Sequence, residues 1–215
     1  MNPTLKKVIG CVIGVALLFV AYYGNYLPLH KSQTFIDTLQ NLHSVSSIQE
    51  FESSLSYPID LPSPIGTEEL VRNAGNIALN LVQQNPQSST VTEVVRFLES
   101  KYKPIIDYGK GMSYEQNLYL LGTINEVAFI KTHQPEFLQA ADNYYAQGLA
   151  LGPNRPQFLY GLFDIYRTEG NVQSSTAIAA KILSQWPDDQ RTKDGLAQFM
   201  QYVASTTAAQ NAKKK

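Results

Sequence analysis

Cysteine is almost missing from this chain. Cys11 stands alone, so no disulfide can form within the chain. Charge is sparse and balanced: 17 basic against 18 acidic side chains, a formal net charge of -1 in 215 residues. That balance excludes a broad grip on nucleic acid, which needs a basic face to neutralise phosphates. The local basic run Lys213-Lys214-Lys215 reads as a solvated tail. Motifs of catalysis are absent too. The sequence has no G-x-S-x-G, no phosphate-binding G-x-x-x-x-G-K and no H-E-x-x-H. His30, His43 and His133 have no Cys, Asp or Glu partner at metal-ligand spacing on a helix face, so they read as surface histidines. Gly109-Lys110-Gly111 is too short for a phosphate cradle and reads as a loop. The pairs Glu68-Glu69 and Asp188-Asp189 open helices, where carboxylates complement the helix dipole. The expectation is a non-enzyme with no catalytic residues, no metal and no cofactor.

What the sequence does have begins with one long uncharged run. Residues 8–30 carry no charged side chain, and Lys6 and Lys7 precede them. A spanning helix needs about 20 mainly apolar residues at roughly 1.5 Å rise each. Residues 8–27 meet that need. Tyr22, Tyr23 and Tyr26 cluster at the outer end, where amphipathic rings favour the membrane–water boundary. Cys11 lies near the start of the run, not at its end after small residues, so it reads as a small apolar filler. A cleaved signal peptide is the competing reading. The run ends in bulky AYYGNY, a poor peptidase site, which favours an uncleaved single-pass anchor. Lys6, Lys7 and the amino terminus outweigh Lys31, so the positive-inside rule puts the N-terminus in the cytoplasm. Everything after Leu29 then lies on the outer side of the cytoplasmic membrane.

After Lys31 the apolar spacing is helical throughout, and hydrophobic residues reach 44% of the chain, enough for a substantial core. The expected class is all-α. One or two short helices fit 32–56. Three prolines in 53–66 point to an extended connection. A helix follows over 67–84, with Leu70, Ala74, Ile77, Ala78 and Leu81 on one stripe. Asn85-Pro86 breaks it. Thr90-Val91-Thr92-Glu93 has capping-box spacing and opens a helix that Pro104 ends or lies just beyond. Ser113-Tyr114-Glu115-Gln116 is a second such box. Pro135 fits the first turn of the next helix, and Gly152 its left-handed exit. Asn154 and Pro156 start another helix. Gly170 ends it, Asn171 caps the next, and a last helix runs from about Asp188 to Ser205. The domain plan is 1–30 cytoplasmic stub and anchor, 31–66 short helices and Pro-rich connection, 67–205 helical repeats, and 206–215 mobile tail.

A period organises the repeats. Leu162 and Leu196, Tyr166 and Met200, and Pro153 and Pro187 each stand 34 residues apart. The stretch 156–189 resembles the tetratricopeptide (TPR) repeat through Leu159, Leu162, Tyr166, Ser175, Ile182 and Pro187. It departs from that pattern at Ala179, where an aromatic is usual. The stretch 115–154 resembles it through Leu118, Leu121-Gly122, Ala141, Tyr145, Gly148 and Pro153, with stretched spacing near 132–137. Small residues such as Ala141 and Ser175 let helices approach, and Tyr145 and Tyr166 fill gaps between hairpins. The resemblance implies a TPR-like α-helical hairpin solenoid, each hairpin hiding its neighbour's apolar face. A looser resemblance joins one spanning helix, PSPIGTEELVRN and TPR-like hairpins. It is to the extracytoplasmic tail of bacterial O-antigen ligase or polymerase-type membrane proteins. Their catalytic spans have no counterpart here, so it implies only an accessory role in polysaccharide or glycoprotein assembly.

By register in TPR arrays, first helices line the groove. The resemblance therefore implies a partner-binding groove of Tyr119, Thr123, Glu126, Gln157, Tyr160, Asp164 and Arg167. That mixed polar and aromatic set suits a protein or peptide partner in the cell envelope. Of the 13 tyrosines, those in the repeat region (Tyr114, Tyr119, Tyr144, Tyr145, Tyr160 and Tyr166) otherwise serve packing between hairpins.

Overall fold

The computed structural model describes residues 2–42, 47–84 and 87–213. His43, the Asn85-Pro86 break and Lys214-Lys215 of the basic tail lie outside the described residues. Among the described residues every regular element is helical and none is a strand. The chain divides into two compact units, Met1–Leu81 with Thr92–Gly109, and Val82–Val91 with Lys110–Lys215.

The first unit opens with an apolar helix, α1 (Pro3–Phe19), which passes through a π-helical stretch (Val20–Tyr26) into α2 (Leu27–Asn41). Together they form one rod of 39 residues, apolar enough at its start to cross a membrane by length and composition. Pro28 would be expected to break such a rod, because it lacks an N–H and its ring collides with the carbonyl four residues back. The π-helical stretch just ahead absorbs the conflict. There the Leu27 amide reaches back five residues to the Tyr22 carbonyl, widening the turn. The helix therefore continues to Asn41 and does not end near Leu29.

α3 (Ile48–Asp60), α4 (Thr67–Gln84) and α5 (Ser88–Tyr108) follow. Ser47 caps α3 by accepting the Glu50 amide at 3.2 Å. The extended connection expected over 53–66 is confined to 61–66, because α3 continues through Pro58. Pro58 falls in the last turn, where a lost backbone bond disturbs least, and its ring is buried. Pro104 likewise lies inside α5, four residues before the end, instead of stopping it. Thr90 lies inside that helix, with its hydroxyl on the Gln87 side-chain carbonyl. α4 has its expected bounds, but its buried stripe is turned slightly. Val71 and Gly75 join Leu70, Ala74 and Ala78, while Ile77 and Leu81 are half-buried. Phe35, Phe51, Leu55, Val71, Val95 and Leu98 form the centre of this unit.

Lys31 ties these helices together. Only 2% of it is exposed. Its Nζ donates to the carbonyls of Ile59 (2.7 Å) and Leu61 (2.8 Å) and to Thr67 Oγ1 (2.6 Å). The ammonium uses all its donors, and it satisfies carbonyls that the end of α3 leaves without intrahelical partners. The sequence placed Lys31 at the boundary of the apolar run. The structure makes it the staple between α2, the end of α3 and the start of α4.

The second unit contains α6 (Tyr114–Thr132), α7 (Pro135–Leu151), α8 (Pro156–Thr168), α9 (Val172–Gln185) and α10 (Gln190–Lys213). Each packs on the next, and α6 also touches α8. Tyr145 of α7 enters that junction and is 1% exposed. Gly122 of α6 faces one edge of its ring and Gly161 of α8 the other. A Cβ on Gly161 would fall 2.6 Å from the ring, and one on Gly122 well inside 3.0 Å. Gly148 admits the Phe158 ring in the same way. Ala141, Ser175 and Ala179 are fully buried, as small residues at helix crossings must be. Tyr119 is 40% exposed, and Tyr144, Tyr160 and Tyr166 are half-buried, so packing does not account for every tyrosine.

Several helix ends follow the sequence and others depart from it; Ser113 precedes α6 without a side-chain cap hydrogen bond. Pro135 and Pro156 open α7 and α8. Gly170 takes φ 73°, and Asn171 caps α9 through the Ser174 amide. Gly152, however, has φ -141°, which any residue adopts. His133 instead takes the left-handed turn, φ 55°, at the end of α6. The final helix continues past Ser205 to Lys213.

Candidate functional site

Most of the residues expected to line a groove fall in two polar and aromatic clusters within the second unit, one around α6 and one around α8. On α6, Thr123 and Glu126 converge on the phenol of Tyr145. Tyr145 donates to Glu126 Oε2 at 2.8 Å and lies 3.2 Å from Thr123 Oγ1. Thr123 donates to the Tyr119 carbonyl at 3.0 Å. The Tyr119 ring leans against those of Tyr145 and Phe158, each 6.2 Å away. Burial raises the proton affinity of Glu126, and neighbouring Asp164 raises it further. The Tyr145 hydrogen bond and Arg191 oppose this without cancelling it. Burial first, then Glu126, also pushes the Tyr145 phenol up. Among the described residues no Lys or Arg lies within ion-pair distance of Glu126.

On α8, Asp164 pairs with Arg191 at 2.9 Å and, more distantly, with Arg167 at 3.8 Å. Arg191 also lies over the Tyr160 ring, 5.3 Å from its centre. Tyr160 stacks on Trp186 and donates to Asp189 Oδ2 at 2.8 Å. Asp189 precedes α10 and accepts from Thr192 Oγ1 at 2.6 Å. Those hydrogen bonds, that of Thr192 above all, hold its carboxyl below the usual range. Arg167 stacks over Phe163 at 4.9 Å. It also lines an open hollow of about 240 Å³ with Thr168, Gly195, Gln198, Phe199 and Tyr202.

Thr123 and Glu126 thus meet at Tyr145, and Tyr160 and Asp164 meet at Arg191, while Asp164 and Arg191 act on Glu126 through their charges. Tyr119 borders them, Gln157 is half-buried outside these links, and Arg167 is shared with the hollow. Sequence reading missed Arg191, Asp189 and Trp186. The available signal was the lone tryptophan followed closely by Asp189 and Arg191, but the acidic pair was assigned to the helix dipole alone. His30 and His133 are exposed. Among the described residues no group of three His, Cys, Asp or Glu side chains is placed to hold a metal. A half-buried carboxylate, exposed aromatic faces and an exposed guanidinium make a surface that can accept hydrogen bonds and stack. In comparisons with known proteins, no family model matches the chain, and no curated protein aligns with it significantly.

Proposed function

We propose that this chain is a single-pass envelope protein that displays a TPR-like stack of helical hairpins outside the cytoplasmic membrane. The stack binds protein or peptide partners and does not catalyse. The observation that carries the reading is the linked set on α6 and α8, with Glu126 at its centre. Its carboxylate is half-buried and, among the described residues, has no cation within ion-pair distance, a state that lowers stability at neutral pH. Such groups concentrate at functional sites. Further support comes from the junction of α6, α7 and α8. Glycines facing a buried tyrosine there match the size alternation by which hairpins stack in helical repeats. An anchored module gains effective concentration toward partners on the same surface.

Photo-crosslinking in native membranes tests this. A photoreactive side chain at Tyr119 should capture a specific protein, while one at Gln147, exposed on α7, should not. Equal labelling at both positions refutes the groove. Capture of a lipid-linked glycan enzyme would identify the accessory role in glycan assembly. Turnover of a glycan by the purified chain would overturn the non-catalytic reading.

A further inference from the structure

The rod of α1 and α2 is bare through Tyr26, and covering by the rest of the unit begins at Leu27 and Pro28, which are half-buried. The folded unit therefore starts where the apolar run stops, with no spacer. Lys31 then sets the height of one loop. Its three acceptors, the carbonyls of Ile59 and Leu61 and the hydroxyl of Thr67, bracket residues 61–66. Lys31 is four residues past Leu27, about 6 Å along the axis. Helical side chains lean toward the N-terminus, which brings its head back toward the apolar end.

The loop is suited to that position. It reads Leu-Pro-Ser-Pro-Ile-Gly and carries no charge. Ile65 is 63% exposed, and Pro62 and Pro64 are exposed beside it. At the tip, Ser63 pairs both backbone polar groups of Ile65. Ser63 Oγ donates to the Ile65 carbonyl at 2.7 Å and accepts the Ile65 amide at 3.4 Å. The two prolines have no N–H to satisfy. Low polarity, with the backbone of the most exposed apolar residue already paired, suits contact at the membrane interface, where the remaining carbonyls still meet water.

We propose that loop 61–66 rests on the same bilayer as the apolar helix, with Ile65 inserted at the interface as a second membrane contact. This rests on the anchor reading above. Glu68 and Glu69 follow in the first turn of α4, so the contact is apolar and does not depend on anionic lipid.

The test uses the full chain with Cys11→Ser, reconstituted in phosphatidylcholine vesicles. Single cysteines at Ile65, Val15 and Ile36 carry an environment-sensitive fluorophore; Val15 and Ile36 are exposed, in α1 and α2 respectively. The Ile65 label should shift to the blue and be quenched by brominated lipid but not by iodide. The Ile36 label, nine residues past Leu27, should show the reverse. Quenching of Ile65 by iodide while Val15 responds to brominated lipid overturns the loop contact and leaves the anchor standing. Quenching of Val15 by iodide removes the anchor and the loop contact together. An Ile65 label shielded from both quenchers means that protein covers the loop, which overturns the proposal. So does loop contact that appears only when anionic lipid is added.

Discussion

Replacing Gly122 with alanine sets two effects of opposite sign against each other. Alanine in a helix interior gains about 0.5–1 kcal/mol over glycine by restricting the unfolded chain. Overpacking a tight site costs about 1–3 kcal/mol. Which one wins depends on whether the neighbour can yield. The added Cβ meets the Tyr145 ring well inside 3.0 Å, and Gly161 blocks the opposite edge, where its own added Cβ would be 2.6 Å away. The phenol is also tethered to Glu126. Tyr145 has nowhere to go, so Gly122→Ala should destabilise the second unit by roughly 1 kcal/mol, the difference between the centres of those two ranges. At roughly 4 °C per kcal/mol for a body of this size, thermal unfolding of the full chain in detergent, followed by circular dichroism, resolves it. Gly195→Ala is the control. Its nearest contact is the end of the Arg167 side chain, which can swing away, with Phe163 at 3.2 Å. It should be close to neutral. Combining Gly122→Ala with Tyr145→Leu should cost less than the sum of the single changes, because the clash needs the ring. A stabilising Gly122→Ala, or an additive double variant, would refute the close approach.

Glu126→Gln should raise the melting temperature at pH 7. The folded state holds this proton more tightly than the unfolded chain, so stability falls as pH rises from the ordinary glutamate value through the raised one. The variant should lose that slope relative to wild type; an unchanged difference across about pH 4–8 in paired melts, a window that opens near the ordinary glutamate value of ~4.3, argues against the buried carboxylate. Lys31→Met should destabilise the first unit by on the order of 3 kcal/mol, since charge-assisted bonds are lost and backbone carbonyls are left unpaired. Limited proteolysis of the 61–66 loop, faster in the variant, checks this. Arg191→Ala should change stability by less than about 1 kcal/mol, because the arginine is largely exposed in its pair with Asp164. A larger loss in thermal melts would mean that Arg191 is structural.

The helical class and most helix starts were legible because they depend on local chemistry. Pro135, Pro156 and Asn171 act within one turn of where they stand. The misread ends all involve a competing longer-range or adjacent device. Pro58 and Pro104 each occur close enough to a helix terminus to be tolerated, so their breaking power overstated the interruption. Gly152 invited a left-handed exit, yet His133 took one. Pro28 was silenced by the π-helical stretch, which no residue pattern announced. At the candidate site, first-helix register singled out Thr123, Glu126, Tyr160 and Asp164, which the structure places in two polar clusters. It could not reveal that Tyr145 and Arg191 join them, because those partners come from α7 and α10, 19 to 31 residues distant in pairs such as Glu126 with Tyr145 and Tyr160 with Arg191.

The widened turn at Val20–Tyr26 makes the rod an axle. It is unbroken from Pro3 to Asn41 and keyed to the first unit by Lys31. The azimuth of its apolar flank is therefore set by the fold outside it. Inserting one residue among 8–19 would spin that flank by about 100° while leaving the keyed end in place. Which side chains a neighbouring helix meets along α1 is thus dictated from the far end of the shaft.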